Sequence, residues 1–287
     1  MSSIPVDPTS AGRTPTSTVL VSAATGTVGR HLVPLLEQRG TDVRAYDRAA
    51  DPGPQLVGAD AVFLACPNVP EQLAFELSII DAAARAGVGR LVKLSARGAR
   101  LDSPVEYWDR HARIEQHLAA SGVPAVVLRP GFSMANLLAQ IEPVRASGVL
   151  PVPAADARVA MIDPRDVAAV AAAALTDSEI PTGAYELTGP AAIDFARVAT
   201  SWGAAAGRDV TYLDVPPDQA APALVAAGMP AFVAEQIATV FAALRSGAQA
   251  EVTDDVHRLT GRPPRSIDEF LAEALTGRHV AVAAGRD

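Results

Sequence analysis

Three residues at helical spacing are the first in this chain to suggest chemistry. Tyr107, His111 and Glu115 stand at i, i+4 and i+8 within VEYWDRHARIEQHLAAS (105–121), so a helix there presents them as one stripe. A histidine in that place can give or take a proton near neutral pH, since its unperturbed pKa of about 6.5 suits general acid–base work. Glu115, one turn on, would orient the ring and favour its charged form. The same spacing also serves plain structure. A His–Glu pair stabilises a helix by only about 0.2–0.5 kcal/mol, and Tyr107 with Trp108 can pack with their polar ends outward. His31, His117, His257 and His279 show no spacing of metal ligands, and no metal is expected.

A second group lies in VLVSAATGTVGRHL (19–32), where an apolar run meets a small-residue turn that opens a helix. Gly26 would let the backbone approach a pyrophosphate, and Gly29 would let the helix pack closely. Ala24, Thr25, Gly26, Thr27, Val28 and Gly29 are therefore candidate cofactor ligands, their N–H groups meeting the anion at the helix N-terminus. Ala23 stands where a GxxGxxG pattern has its first glycine; its methyl denies the turn a positive φ and crowds the backbone. About twenty residues past the glycines come Asp47 and Arg48. An acidic residue there holds a ribose hydroxyl and selects NAD, whereas arginine accommodates the 2′-phosphate of NADP. With both present, the sequence leaves the choice open.

The elements that must position these groups alternate in the manner of a parallel α/β sheet. Apolar runs at 18–22, 42–46, 61–65, 90–95 and 125–129 read as strands, with helices over 27–39, 71–86 and 105–121. Beyond 150 the pattern loosens. Two short strands fall within VLPVPAADARVAMIDPRD, and Asp163 or Asp166 caps the helix that follows. Strands at 184–188 and 210–215 flank a helix at 194–206, and 217–247 reads as two helices broken near Gly228-Met229-Pro230. The division expected is a disordered tail over 1–17, a dinucleotide-binding core over 18–150, and a mixed part over 151–287 that completes the sheet and the substrate pocket.

Composition narrows the partners. The chain has 287 residues, 49% hydrophobic and 20% charged, with Lys+Arg 24 against Asp+Glu 32. A net charge of −8 argues against nucleic acid, which needs clustered positive charge. No run of about 18 apolar residues exists to span a membrane. Cys66 is the only cysteine, which excludes a disulfide framework and makes the cytoplasm the expected compartment. Lys93 is the only lysine and does not follow a Gly-rich loop, so a Walker-type P-loop is excluded.

The turn ATGTVG with RLVKLSARGA (90–99), LRPGFSMANLL (128–138), DPRDVAAVAAAALT (163–176), YELTGP (185–190) and LTGRPPRSIDEF (259–270) resembles the NmrA-like family of atypical short-chain dehydrogenase/reductases, from about residue 18 to 275. The resemblance implies a Rossmann-like, doubly wound parallel sheet binding NADP or NAD, with a smaller C-terminal α/β region closing over a small-molecule substrate. It implies Ser95 close to the nicotinamide, hydrogen-bonding a substrate carbonyl. It also points to the helix stripe, where classical relatives carry Tyr-x-x-x-Lys: Tyr107 fits the tyrosine and His111 the lysine. Strand ends are where open α/β sheets bind ligands, which adds Cys66, Pro67 and Lys93 on the cofactor side and Asn68, Phe132, Met134 and Asn136 on the substrate side. Cys66, with no histidine near it in sequence, reads as a small hydrophobe rather than a nucleophile.

One departure from the family concerns the sheet. Only AADPGP separates Arg48 from Gln55, too short for the expected helix and third strand. The sheet should lack its outermost member, with a shallower adenine pocket and weakened dinucleotide affinity. The leading expectation is an NAD(P)H-dependent reductase of a small conjugated or aromatic carbonyl, quinone or imine. The alternatives are a redox-neutral cyclase, dehydratase or isomerase using Tyr107 and His111, and a non-catalytic dinucleotide sensor. Oligomeric state stays open.

Overall fold

Runs such as TVLV and AVFL can be buried on both faces only if helices cover both sides of their sheet. The protein, a computed structural model describing residues 17–276, does this. The tail expected over 1–17 lies outside the described residues but for Ser17.

Among the described residues the strands are β1 (Thr18–Val21), β2 (Asp42–Ala45), β3 (Ala61–Leu64), β4 (Arg90–Leu94), β5 (Ala125–Pro130), β6 (Val149–Val152), β7 (Gly183–Leu187) and β8 (Thr211–Asp214). Six form one parallel sheet in the order β2-β1-β3-β4-β5-β7, and β6 pairs with β8 in a separate two-stranded sheet. The helices α1 (Gly29–Gln38), α2 (Pro52–Leu56), α3 (Gln72–Ala86) and α4 (Glu106–Ala120) alternate with the first strands. Period-two alternation sorts the core. Val19, Val21, Phe63 and Val92 face Leu32 and Leu36 of α1, whereas Leu20, Val62, Leu64 and Leu91 face Leu56, Ile79, Ile80 and Ile114 of α2–α4.

The sheet ends at β2, as the short crossover required. The crossover does carry a helix, contrary to expectation, but one of a single turn. Pro52 sits at its first position, and Asp51 caps it by accepting from Gly53 N at 2.9 Å. Gln55 then staples the turn to β2: its Oε1 accepts from Asp47 N at 2.8 Å, and its Nε2 donates to Asp47 O at 3.0 Å.

After β5 a 3-10 stretch (Met134–Gln140) leads to α5 (Ile141–Ser147) and β6, and α6 (Pro164–Thr176) returns to the face of α1. The remaining helices are α7 (Phe195–Ala206), α8 (Pro217–Ala226), α9 (Ala231–Arg245), α10 (Asp255–Thr260) and α11 (Ile267–Leu275). Phe195 and Trp202 of α7, Leu244 of α9 and Phe270 of α11 form a second core under the 3-10 stretch and α5. Asp163 is the cap of α6, accepting from Arg165 N at 2.8 Å, while Asp166 accepts from Arg265 N at 2.7 Å. Asp163 is fully buried and also receives the Arg165 guanidinium at 2.6 Å. Losing the cap and this ion pair in Asp163→Ala should cost about 2 kcal/mol, a fall of roughly 4–8 °C in Tm by calorimetry.

Candidate active site

The chain leaves β1, makes its tight turn and enters α1 at the point where the strand order reverses, the place open α/β sheets bind ligands. Val28 precedes α1 as its N-cap and supplies no side-chain cap, and the first turn of the helix carries no acidic residue. Its first N–H groups and the positive end of its dipole therefore suit an anion. Gly29 is what permits the turn. A Cβ there would stand 1.9 Å from Ala23 O and 2.8 Å from Ala23 C. Gly26 has more room, its Cβ position lying 3.2 Å from the same oxygen. None of Ala23, Gly26 and Gly29 has a positive φ, so the strain expected of alanine at residue 23 does not arise. This cradle, which a side chain would fill, fits a dinucleotide pyrophosphate.

A cleft of about 460 Å³ runs from that turn along the C-terminal ends of β1, β3, β4 and β5, within the range of small-molecule sites. The candidates it brings together are Gly26, Thr27, Val28, Gly29, Cys66, Pro67, Asn68, Ser95, Tyr107, His111 and Asn136. Tyr107 and Trp108, from the first turn of α4, form an edge-to-face pair with centroids 6.1 Å apart. Burial pushes the Tyr107 phenol up to about 12, with the Trp108 side chain offsetting part of the rise. The phenol therefore keeps its proton at neutral pH.

Other candidates stand elsewhere. Ala24 and Thr25 do not line the cleft. Lys93 is fully buried on the α3–α4 side of β4, its ammonium 2.8 Å from Glu76 Oε2 and 3.2 Å from His111 Nδ1, so it cannot reach a cofactor. Glu115 does not orient His111. It accepts instead from Ser95 Oγ and from both Nε and Nη2 of Arg129. Ser95 thus spends its single proton on Glu115 and can offer a ligand only a lone pair, not the donor expected for a substrate carbonyl. Burial and the Lys93 ammonium hold His111 well below the usual imidazole range, so it is neutral rather than the charged donor anticipated. Met134 is 1% exposed and belongs to the second core. Phe132 turns its ring onto Phe195 and Phe241, with centroids at 6.0 and 5.9 Å.

After the C-terminal end of β2, outside the cleft lining, Asp47 spends a carboxylate oxygen on Ala49 N (2.9 Å), closing a local turn. Arg48 lays its guanidinium 4.4 Å over the ring of Phe75 and donates to Cys66 Sγ at 3.5 Å. The Cys66 thiol is half-buried and pushed up by desolvation, partly offset by Arg48, which makes it a poor nucleophile.

Sequence reasoning missed Arg97 and Gln249. Gln249 is buried and braces the cleft wall: its Oε1 accepts from Phe132 N at 2.7 Å, and its Nε2 donates to Arg97 O at 3.1 Å. The Arg97 guanidinium, also buried, is held by Glu186 at 3.0 Å and by Glu251. Arg97 lies two residues past Ser95, beyond the end of the same strand β4, and could have been read there. Gln249 has no local signal, since its side-chain partners lie more than a hundred residues earlier in the chain.

The sequence profile of the NmrA-like family matches residues 50–271. An NAD(P)H azoreductase from Xenophilus azovorans is 34% identical over 274 residues, covering 88% of this chain and 96% of its own length. A (4-alkanoyl-5-oxo-2,5-dihydrofuran-3-yl)methyl phosphate reductase from Streptomyces griseus is 36% identical over 278 residues, covering 89% and 97%. Among solved structures, the NADPH-dependent quinone oxidoreductase of Escherichia coli complexed with NADPH superposes with a TM-score of 0.81 at 24% identity, over 90% of this chain and 99% of that one. At that identity the likeness speaks for the fold.

Proposed function

The chain belongs to the NmrA-like family, and on that premise we propose that it is an NAD(P)H-dependent reductase of small quinone, azo or conjugated carbonyl compounds, with Tyr107 as the proton donor. The observation that carries the reading is the continuity of one cleft from the uncapped start of α1 to the phenol of Tyr107. NADPH or NADH supplies a hydride when bound. Val28 and Gly29 open the helix turn that would hold its pyrophosphate, and Cys66, Pro67 and Ser95 would stand beside it. Tyr107 gives its proton to the heteroatom on which charge develops, a role that a phenol kept protonated by burial can fill. Trp108 and Asn136 face the substrate.

Two further readings fare less well. Redox-neutral acid–base chemistry needs His111 to gain and lose a proton at the cleft, and burial beside Lys93 opposes its charged form. A sensor would bind dinucleotide and leave it unchanged. Titration with NADPH and NADH, followed by the near-ultraviolet absorbance of NADPH over a panel of quinones, azo compounds and enones, tests the proposal. Oxidation dependent on both protein and acceptor supports it. Binding without turnover across the panel fits the sensor, and no binding removes both.

Within this reading, Arg48 selects NADPH. Its guanidinium is turned inward toward the end of β3, whereas the Asp47 carboxylate is tied into its own turn. Arg48→Ala should weaken NADPH roughly tenfold, the loss of one charge-assisted contact of about 1.5 kcal/mol. NADH should bind as before, and calorimetric titration with both nucleotides checks the difference.

A further inference from the structure

Lys93 is the only lysine in the chain, and its side chain is fully buried behind the cleft. An ammonium has three protons to donate and nothing with which to accept. Its contacts are an ion pair with Glu76 Oε2 at 2.8 Å and hydrogen bonds to the backbone oxygen of Leu94 and to His111 Nδ1 at 3.2 Å. Glu76 is itself fully buried and accepts from Gln72 Nε2 at 3.0 Å. An imidazole nitrogen that accepts carries no proton, so His111 must hold its proton on Nε2. That nitrogen faces the Gln72 carboxamide, 3.5 Å from its Nε2, while Gln72 Oε1 has no partner. Because Gln72 Nε2 is already held by Glu76 Oε1 at 3.0 Å, the shorter Lys93 contact decides the tautomer. Gln72 is the first residue of α3 and follows the Cys66–Asn68 stretch that walls the cleft. The cluster thus joins β4, α4 and the start of α3 behind His111, a histidine that lines the cleft.

We propose that Lys93 is a positioning residue: its ammonium, anchored by Glu76, fixes His111 as the Nε2-protonated imidazole and locks the ring that backs the cleft next to Tyr107. Only the rate measurement below rests on the reductase reading; the spectroscopic one stands without it.

Removing Lys93 alone strands a buried carboxylate and can unfold the protein, so the decisive variant is the double replacement Glu76→Gln with Lys93→Met, which removes both charges together. Long-range proton–nitrogen correlation spectra of ¹⁵N-histidine-labelled full-length protein report the tautomer, with His111→Gln assigning the signal. The wild type should show His111 protonated on Nε2 alone at neutral pH. The double variant should keep its fold, lose the single tautomer, and reduce kcat roughly tenfold as the ring loses its fixed position, with the NADPH Kd unchanged. A wild-type ring protonated on Nδ1 or on both nitrogens would overturn the proposal. So would a folded double variant that retains the Nε2 tautomer, because the pair would then be structural only. If no acceptor is ever reduced, the reductase reading falls while the nitrogen spectra still decide the role of Lys93.

Discussion

Gly29→Ala is expected to abolish measurable NADPH binding, raising Kd by roughly 100-fold or more, as a displacement of about 1 Å can do at a positioned site. The reason is a collision with backbone rather than with a side chain that could swing away. The added methyl would sit 1.9 Å from Ala23 O, 2.8 Å from Ala23 C and 2.9 Å from Ala24 O. Relief requires the turn and the start of α1 to separate, and their closeness is what presents the helix N–H groups to a phosphate. Overpacking of this kind also costs about 1–3 kcal/mol of stability. Gly26→Ala is the informative control: its nearest contact is 3.2 Å to the same oxygen, which a shift of a few tenths of an ångström absorbs. It should bind with a much smaller loss. Calorimetric titration of both variants, with circular dichroism to confirm folding, separates a lost cradle from a lost fold. Equal affinities for Gly29→Ala and wild type would contradict the placement of the pyrophosphate.

Tyr107→Phe is the second large effect. It removes one oxygen from a side chain that lines the cleft, packs edge-on against Trp108 and keeps its proton because burial lifts the phenol to about 12. Loss of a positioned proton donor lowers kcat by roughly 10²–10⁴-fold. The ring and its packing remain, so the fold and the NADPH Kd should be unchanged. The donor's neighbours support the assignment. Ser95 has given its proton to Glu115, and His111 is committed to Lys93 and faces Gln72. A Tyr107→Phe enzyme with wild-type kcat would move the proton source to solvent.

The parts of this site that were legible in the sequence are those set by local spacing. A strand running into Thr25-Gly26-Thr27-Val28-Gly29 can hardly fold otherwise, and Tyr107 with His111 reach the same cleft because i and i+4 share a helix face. The deficit of residues between Arg48 and Gln55 likewise foretold a sheet that stops at β2. What spacing could not convey was which partner wins. Glu115 lies one turn from His111, yet the two-pronged guanidinium of Arg129, from the neighbouring strand, fits a carboxylate better than an imidazole does. Lys93 stands near a strand end, where a cofactor contact is expected, although strand alternation places it with Leu91 on the face of α3 and α4. Met134 and Phe132 follow a strand end, where ligand contacts are common, but the second core claimed both. Its existence depends on α7, α9 and α11, which lie much later in the chain.

A sheet that stops at β2 has a flank of its own to manage. An edge strand exposes a row of backbone donors and acceptors on which another chain can pair, and proteins blunt such edges with short strands and charge. β2 does both: it is four residues long and carries Asp42 and Arg44, which donors and acceptors of this chain already engage. Thr18 Oγ1 donates to Asp42, and Arg44 donates to Val57 O at 3.2 Å. Asp42 and Arg44 therefore guard the open edge of the sheet against aggregation. Apolar replacement of Asp42 and Arg44 would turn this edge into a template for intermolecular strand pairing, a consequence for solubility rather than for catalysis.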